Sequence, residues 1–320
     1  MKSNRLTILI FILSSCFSIT ALASANNVNA NLLSKNSYDI SACDQQYLTS
    51  VAYNGVKVLV AVGAQGTICR SSDNGQTWRL INSGINQSQS LYGITYGDHK
   101  FVAVGDGMIM VSRNGIVWKV IPVNASYTLF GITYGNGKFV AVGGADNAVI
   151  LTSRHGIKWI PSLWTKTKDA LMSVVSGDHK FVAVGDPGQE NPAILISKEG
   201  RRWLRSTATS IEGSLTGIAY DKQDNRFVAV GDNGVLRSDD GGLTWTVDES
   251  SELQSLQGVA YGKGMFVAVG LDGKVFTSTN GENWQPVLKK TKNALFDVVY
   301  GYYYFLAVGE KGTIIKLYTI

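Results

Sequence analysis

The 320-residue chain is poor in several things at once: five prolines, three cysteines, three histidines and only 17% charged residues. His99 and His179 occupy the same Gly-Asp-His-Lys turn in two repeats, and His155 sits in a Gly turn, so neither a His-based triad nor zinc-ligand spacing is available. C-x-x-C, H-E-x-x-H, G-x-S-x-G and phosphate-cradling loops are all missing, which leaves no predicted metal site and no predicted cofactor. Past the N-terminus every apolar run ends at Gly, Ser or a charge within about eight residues, too short to span a membrane. A net charge of +5 is too mild and too dispersed for a specific nucleic-acid binder. Against these shortages stand 45% hydrophobic residues, 10% aromatics and 35 glycines without a G-X-Y period, the composition of an ordered, turn-rich β protein rather than a disordered or collagenous one.

The first residues carry Lys2 and Arg5, then a mostly apolar stretch from Leu6 to Ala23 with small residues at Ala21, Ala23 and Ala25. This pattern predicts a secretory signal peptide over residues 1–23, a linker over 24–36 and a repeat domain over 37–320. A membrane anchor is the competing reading, weakened by Ser14, Ser15, Ser18 and Thr20. Leu13-Ser14-Ser15-Cys16 also resembles a lipobox, which would tether the protein through Cys16, although the residues after it stay apolar where a tether should turn polar. Export to the periplasm or medium is expected. Cleavage lowers the charge to +3 and leaves Cys43 and Cys69, a pair whose bonding in an oxidising compartment the sequence leaves open.

Internal repetition dominates the rest. An AVG run ends at Gly63, Gly105, Gly143, Gly185, Gly231, Gly270 and Gly309, at intervals of 38 to 46 residues. A run such as LYGITY or LFDVVY precedes each, and a third run such as GMIMVS follows, then a Gly turn and a Trp (78, 118, 159, 203, 245, 284). Four short runs rich in β-branched and aromatic residues per unit of about 40 residues, with no helical period, predict an all-β, seven-bladed β-propeller of four-stranded antiparallel blades. The second run is apolar at every position, as expected of a strand covered on both faces. The seventh unit ends after its third run, so its edge needs a partner. By its distance from Leu48, residues 38–42 (YDISA) are expected to supply that strand, with Tyr38 in the Trp slot, closing the ring with both termini in one blade.

The turns SSDNGQTW (71–78) and SDDGGLTW (238–245) fit S-x-D-x-G-x-T-W through Ser71, Asp73, Gly75 and Trp78, and through Ser238, Asp240, Gly242 and Trp245. They resemble the Asp-box of bacterial neuraminidase (BNR) repeats. The other units keep Gly and Trp but vary between them: VSRNGIVW, TSRHGIKW, ISKEGRRW and TSTNGENW. WD repeats are disfavoured because no Trp is followed by Asp, and kelch repeats because their paired glycines are missing from nearly every unit. Over residues 38–320, with seven units and an export signal, the chain is similar to photosystem II assembly-factor-like bacterial propellers. The resemblance implies a non-catalytic binding or assembly scaffold. Sialidases and other glycoside hydrolases share the same boxes, so a carbohydrate-active enzyme is the alternative. Against it, Arg-Ile-Pro is absent, the tyrosines at 53, 96, 134, 220, 261 and 300 repeat at one structural position, and the glutamates fall mainly in loops. No catalytic residue is assigned.

In a propeller the first–second and third–fourth strand turns share one face, and the blade connections share the other. On the connection face Asp106, Asp146, Asp186, Asp232, Asp272 and Glu310 follow the AVG runs, read as turn chemistry rather than a cation ring. On the opposite face Arg113, Arg154 and Lys198 are expected to replace the box Asp, joined by His155, Lys158, Arg201 and Arg202 and by Lys100, Lys138 and Lys180 in neighbouring turns. The expectation is one basic sector, with Arg113, Arg154, Lys198, Arg201 and Arg202 as the binding candidates. Its partner would be a protein segment, an anionic polysaccharide or lipid headgroups, docked on a monomer.

Overall fold

The structure, a computed structural model, describes residues 32–33, 41–144, 147–162, 168–188, 193–206, 213–287 and 291–319. Residues 1–31, which carry the expected signal peptide and Cys16, lie outside the described residues, as do Tyr38 and Asp146.

Seven antiparallel four-stranded sheets follow one another along the chain. Blade 1 is built from Leu48–Tyr53, Leu59–Gly63, Ile68–Ser71 and Arg79–Ile81. Blades 2 to 6 repeat that order, with second strands at Lys100–Gly105, Lys138–Gly143, Lys180–Asp186, Arg226–Gly231 and Met265–Gly270. Blade 7 comprises Leu295–Gly301, Tyr304–Gly309 and Ile314–Thr319. Each first strand packs on the first strand of the next blade, the seventh against the first included, so the sheets form a closed ring around a channel.

The second strands explain the core. Phe101, Val102, Ala103 and Val104, like their counterparts in the other blades, are at most 1% exposed, because a sheet lies over each face of the strand. Each hydrophobic cluster spans two adjacent blades, so no blade can bury its faces alone. The repeated tyrosine is structural: Tyr134 stacks on Phe139 with ring centroids 4.6 Å apart. The same ring covers Gly97 of the preceding blade, where an added Cβ would lie 2.1 Å from it.

Of residues 38–42, expected as the closing strand, the described part is not extended. Ser41–Cys43 is a 3-10 turn, and residues 38–40 lie outside the described residues. Two constraints hold this segment at the connection face: Cys43 is disulfide-bonded to Cys69 in the third strand of blade 1, and Gly312 N–H donates to the Gln46 carbonyl at 2.6 Å. Among the described residues Leu32–Leu33 pair with the last strand, opposite Thr319 and Tyr318, inside the span expected to be a linker.

Candidate functional site

The turns between third and fourth strands that resemble Asp-boxes, the box turns, also touch the neighbouring blade, as where the Asn74 carbonyl accepts from the Tyr304 hydroxyl at 2.7 Å. In Ser71–Trp78 the Asp73 carboxylate accepts from the Gln76 and Thr77 N–H groups and from Thr77 Oγ1 (3.0, 3.0 and 2.6 Å), and Ser71 Oγ accepts from Gly75 N–H. Asp240 makes the same set with Leu243 and Thr244. Burial pushes the Asp73 carboxyl up, but the bonds from Thr77, Ser71 and Gln76 outweigh it and bring it down to about 2.

The other turns are one residue shorter between Ser and Gly, which corrects the expected register. Arg113 does not stand in the Asp position; Asn114 does, accepting from the Ile116 and Val117 N–H groups at 2.9 and 3.1 Å. Asn280 does likewise in blade 6. In blades 3 and 4 the equivalent residues are His155 and Glu199. The bond from the Gly N–H to the Ser Oγ survives in all six turns, at 2.7–2.9 Å. Arg113 therefore displaces no turn bond, and the exchange of a turn bond for positive charge holds at most in blades 3 and 4.

The expected basic sector divides into two groups. Lys100, Lys138 and Lys180 are ties to the next blade's turn, reaching the carbonyls of His155, Glu199 and Gly241. Lys100 and Lys180 also pair with Asp98 and Asp178, so they add little free charge. By contrast Arg113, Arg154, Lys198, Arg201 and Arg202 are all exposed, on the turns of three consecutive blades, and none has an ion pair among the described residues. Blade 5 is the opposite: Arg226 pairs with Asp239 at 2.7 Å, and Arg237 reaches Glu282 of blade 6 at 2.5 Å.

On the connection face Asp106 accepts from Ser90 N–H at 2.9 Å and Asp232 from Ser214 N–H at 3.2 Å, which is turn chemistry. Among the described residues no three His, Cys, Asp or Glu side chains gather as a metal site would require.

The axial channel, about 320 Å³, is the feature the sequence reading missed. Every first strand carries a β-bulge near its start, which re-aims the bulged side chain, and Tyr92, Phe130, Met172 and Phe296 line the channel from this position. One residue deeper the wall reads Ser50, Gly93, Gly131, Ser173, Gly217, Gly258 and Asp297. Small residues fit because neighbouring strands approach closely: a Cβ on Gly93 would lie 2.5 Å from the Phe130 carbonyl oxygen. Asp297 breaks the row. Its carboxylate crosses the junction between blades 7 and 1, accepting from Ser50 Oγ–H at 2.8 Å and Val51 N–H at 3.0 Å, while Ser50 Oγ accepts from Ile94 N–H of blade 2 at 3.3 Å. Burial pushes this carboxyl up to about 6 despite those bonds. The substitution was visible in the repeat alignment as LFDVVY beside LYGITY, but its place in the channel was not.

The geometry is that of a seven-bladed β-propeller with a charge-sorted turn face and a nearly uncharged channel. No family model and no curated protein matches the chain. Among solved structures it is similar to YCF48 bound to D1 peptide (TM-score 0.72, 16% identity, covering 95% of this chain and all of that one) and to YCF48 from Cyanidioschyzon merolae (0.67, 15%, 86% and 96%). It is also similar to a catalytically inactive virginiamycin B lyase from Staphylococcus aureus with quinupristin (0.73, 14%, 90% and 99%). At these identities the likeness is one of fold alone.

Proposed function

We propose that the chain is an exported, non-catalytic scaffold that docks an acidic protein segment on the box-turn face of blades 2–4. The observation that carries this is the contrast in neutralisation: Arg113, Arg154, Lys198, Arg201 and Arg202 stand exposed without ion pairs, whereas Arg226 and Arg237 are held by carboxylates. Five exposed cations on adjacent turns of a rigid ring form a field for an anionic partner and raise its encounter rate. A solved neighbour of similar fold, YCF48, binds a peptide, which supports a peptide over a polysaccharide or lipid surface. Export by residues 1–23, with a lipid anchor at Cys16 as the alternative, is in keeping with the Cys43–Cys69 disulfide, a bond that persists in oxidising compartments. Among the described residues no helix is long and apolar enough to cross a membrane.

The triple change Arg113→Glu, Arg154→Glu and Arg202→Glu tests the reading by cross-linked pull-down from the native envelope fraction. Capture of the partner should fall by about tenfold or more and should weaken with salt in the parent protein, while the melting temperature holds. Salt-insensitive capture that survives the triple change would sink it. The enzymatic alternative keeps a foothold in the lyase of similar fold, but among the described residues Asp297 is the one carboxylate lining the channel, short of the pair a glycoside hydrolase uses. Turnover of any glycoside would overturn the scaffold reading.

A further inference from the structure

We propose that the connection-face end of the channel binds an ammonium group, carried by a small amine or by a lysine of a peptide, with Asp297 as its anion and Phe296, Phe130 and Tyr92 as its aromatic wall.

Three observations converge. First, among the described residues Asp297 is the sole charged one lining the channel, and it stands at a position that is Gly or Ser in the other six blades. A half-buried carboxylate that breaks the repeat lowers stability at neutral pH unless something compensates, and such local costs concentrate at binding sites. Ser50, Val51 and Val298 supply three donors, the last bonding Oδ1 at 2.8 Å, which leaves acceptor capacity on Oδ1. Second, the bulged residues one step nearer the mouth include two phenylalanines and a tyrosine, held in pairs: Phe296 against Tyr47, with centroids 4.9 Å apart, and Phe130 against Tyr92 at 5.4 Å. Phe296 adjoins Asp297 in the chain, and Phe130 and Tyr92 line the same channel, aromatic surface of the kind that selects an organic cation over a neutral isostere. Third, this mouth lies on the face where Asp106, Asp232, Asp272 and Glu310 follow the second strands, and Asp106 contacts the Tyr92 hydroxyl at 3.4 Å. Lys168, Lys274, Lys292 and Lys311 on the same face match those four carboxylates in number, so the pull on a cation at the mouth rests on Asp106, which stands against the lining Tyr92.

Within the channel the other titratable groups are Tyr53, Tyr92 and Tyr96. Burial raises the Tyr53 and Tyr92 hydroxyls above their ordinary value, so of the groups lining the channel the Asp297 carboxyl governs the pH dependence of binding in the acid range. A bound ammonium stabilises the ionised carboxylate and is lost when the carboxyl takes up its proton. The site lies on the face opposite the box-turn cations, so its failure and that of the docking reading are separable: the Arg113, Arg154 and Arg202 triple variant should bind amines as the parent does.

Calorimetric titration of the whole protein tests this with n-butylammonium and acetyl-Ala-Lys-Ala-amide, against 1-butanol and acetyl-Ala-norleucine-Ala-amide as neutral isosteres. Near pH 8 the ammonium probes should bind about tenfold more tightly than the isosteres, and Asp297→Asn should erase that difference. Binding should weaken by about tenfold near pH 4, where the carboxyl is protonated. Phe130→Leu should weaken it severalfold without altering the carboxyl titration. If Asp297→Asn fails to fold, the carboxyl carbon shift of Asp297 in the parent serves instead, and its midpoint should move down when amine is present. Equal binding of ammonium and isostere, full binding by Asp297→Asn, an unmoved midpoint, or no saturable heat up to about 20 mM probe would each overturn the proposal. The peptide and the free amine distinguish the source: a peptide bound more tightly than butylammonium assigns the site to a lysine side chain.

Discussion

Asp297 and Ser50 are 247 positions apart in the chain and 2.8 Å apart in the ring. Through Ser50 Oγ the contact extends to Ile94 N–H, so one polar chain ties blade 7 to blade 1 and blade 1 to blade 2, across the place where the covalent chain does not connect.

That tie has a pH signature. The Asp297 carboxyl titrates at about 6 in the fold against an ordinary value of 3.8, so the native state holds its proton longer than the unfolded chain does. The contribution to stability is therefore greatest below about pH 4, declines as pH rises through about 6, and is flat above, with a total of at most ~3 kcal/mol. Asp297→Asn should remove this slope and raise the melting temperature near pH 8. An equal slope in parent and variant, read by calorimetry from about pH 4 to 7, would assign it to other groups.

The box carboxylates run the other way. Asp73 titrates at about 2 in the fold, so its stabilisation is complete above about pH 4 and is lost as pH falls toward 2. Asp73→Ala leaves the Gln76 and Thr77 N–H groups without their acceptor and should cost about 1–2 kcal/mol at neutral pH, a shift of several degrees in melting temperature. A change within error would mean that water serves those donors as well.

Blades 3 and 4 lack a short acceptor in the box. Glu199→Asn restores the residue that works in blades 2 and 6, and should raise stability by about 0.5–1 kcal/mol. Denaturant melts of Glu199→Asn and of the control Asn114→Ala should move in opposite directions. Parallel shifts would contradict the register described above.

The disulfide and the N-terminal segment support the seam together. Cys43 and Cys69, 26 residues apart, pin the 41–47 segment beneath blades 7 and 1, and Cys43→Ala with Cys69→Ala should cost about 2–4 kcal/mol. Deletion of residues 24–45 removes the pairing at Leu32–Leu33 as well, and is expected to prevent folding. A deletion variant that melts like the parent would show that the first strands alone close the ring.

Blade count, strand order and core were legible in the repeats, because each second strand is buried on both faces and must be apolar throughout, as LVAVG and FVAVG are. The six-fold tyrosine was also legible as structural, since a residue used at one repeat position serves packing. The box register was misread: aligning the turns on Gly and Trp hid the shorter Ser-to-Gly spacing, and only the hydrogen bonds of Asn114 and Asn280 reveal which residue takes the Asp role. The lysines at 100, 138 and 180 looked like free surface charge because a sequence does not show that a blade's second strand starts beside the next blade's turn.

The sequence by itself determined a ring of seven four-stranded units, its punctuation by Gly and Trp turns, and the clustering of basic residues in units two to four. These follow from local periodicity and burial, which are written in neighbouring residues. Tertiary structure alone decided which cations are free and which tie blades together, where Cys43 finds Cys69, and that Asp297 stands in the channel wall facing Ser50. Those relationships depend on how the ring brings its first and last blades into contact, and on a bulge that re-aims one side chain per blade, neither of which any local pattern encodes.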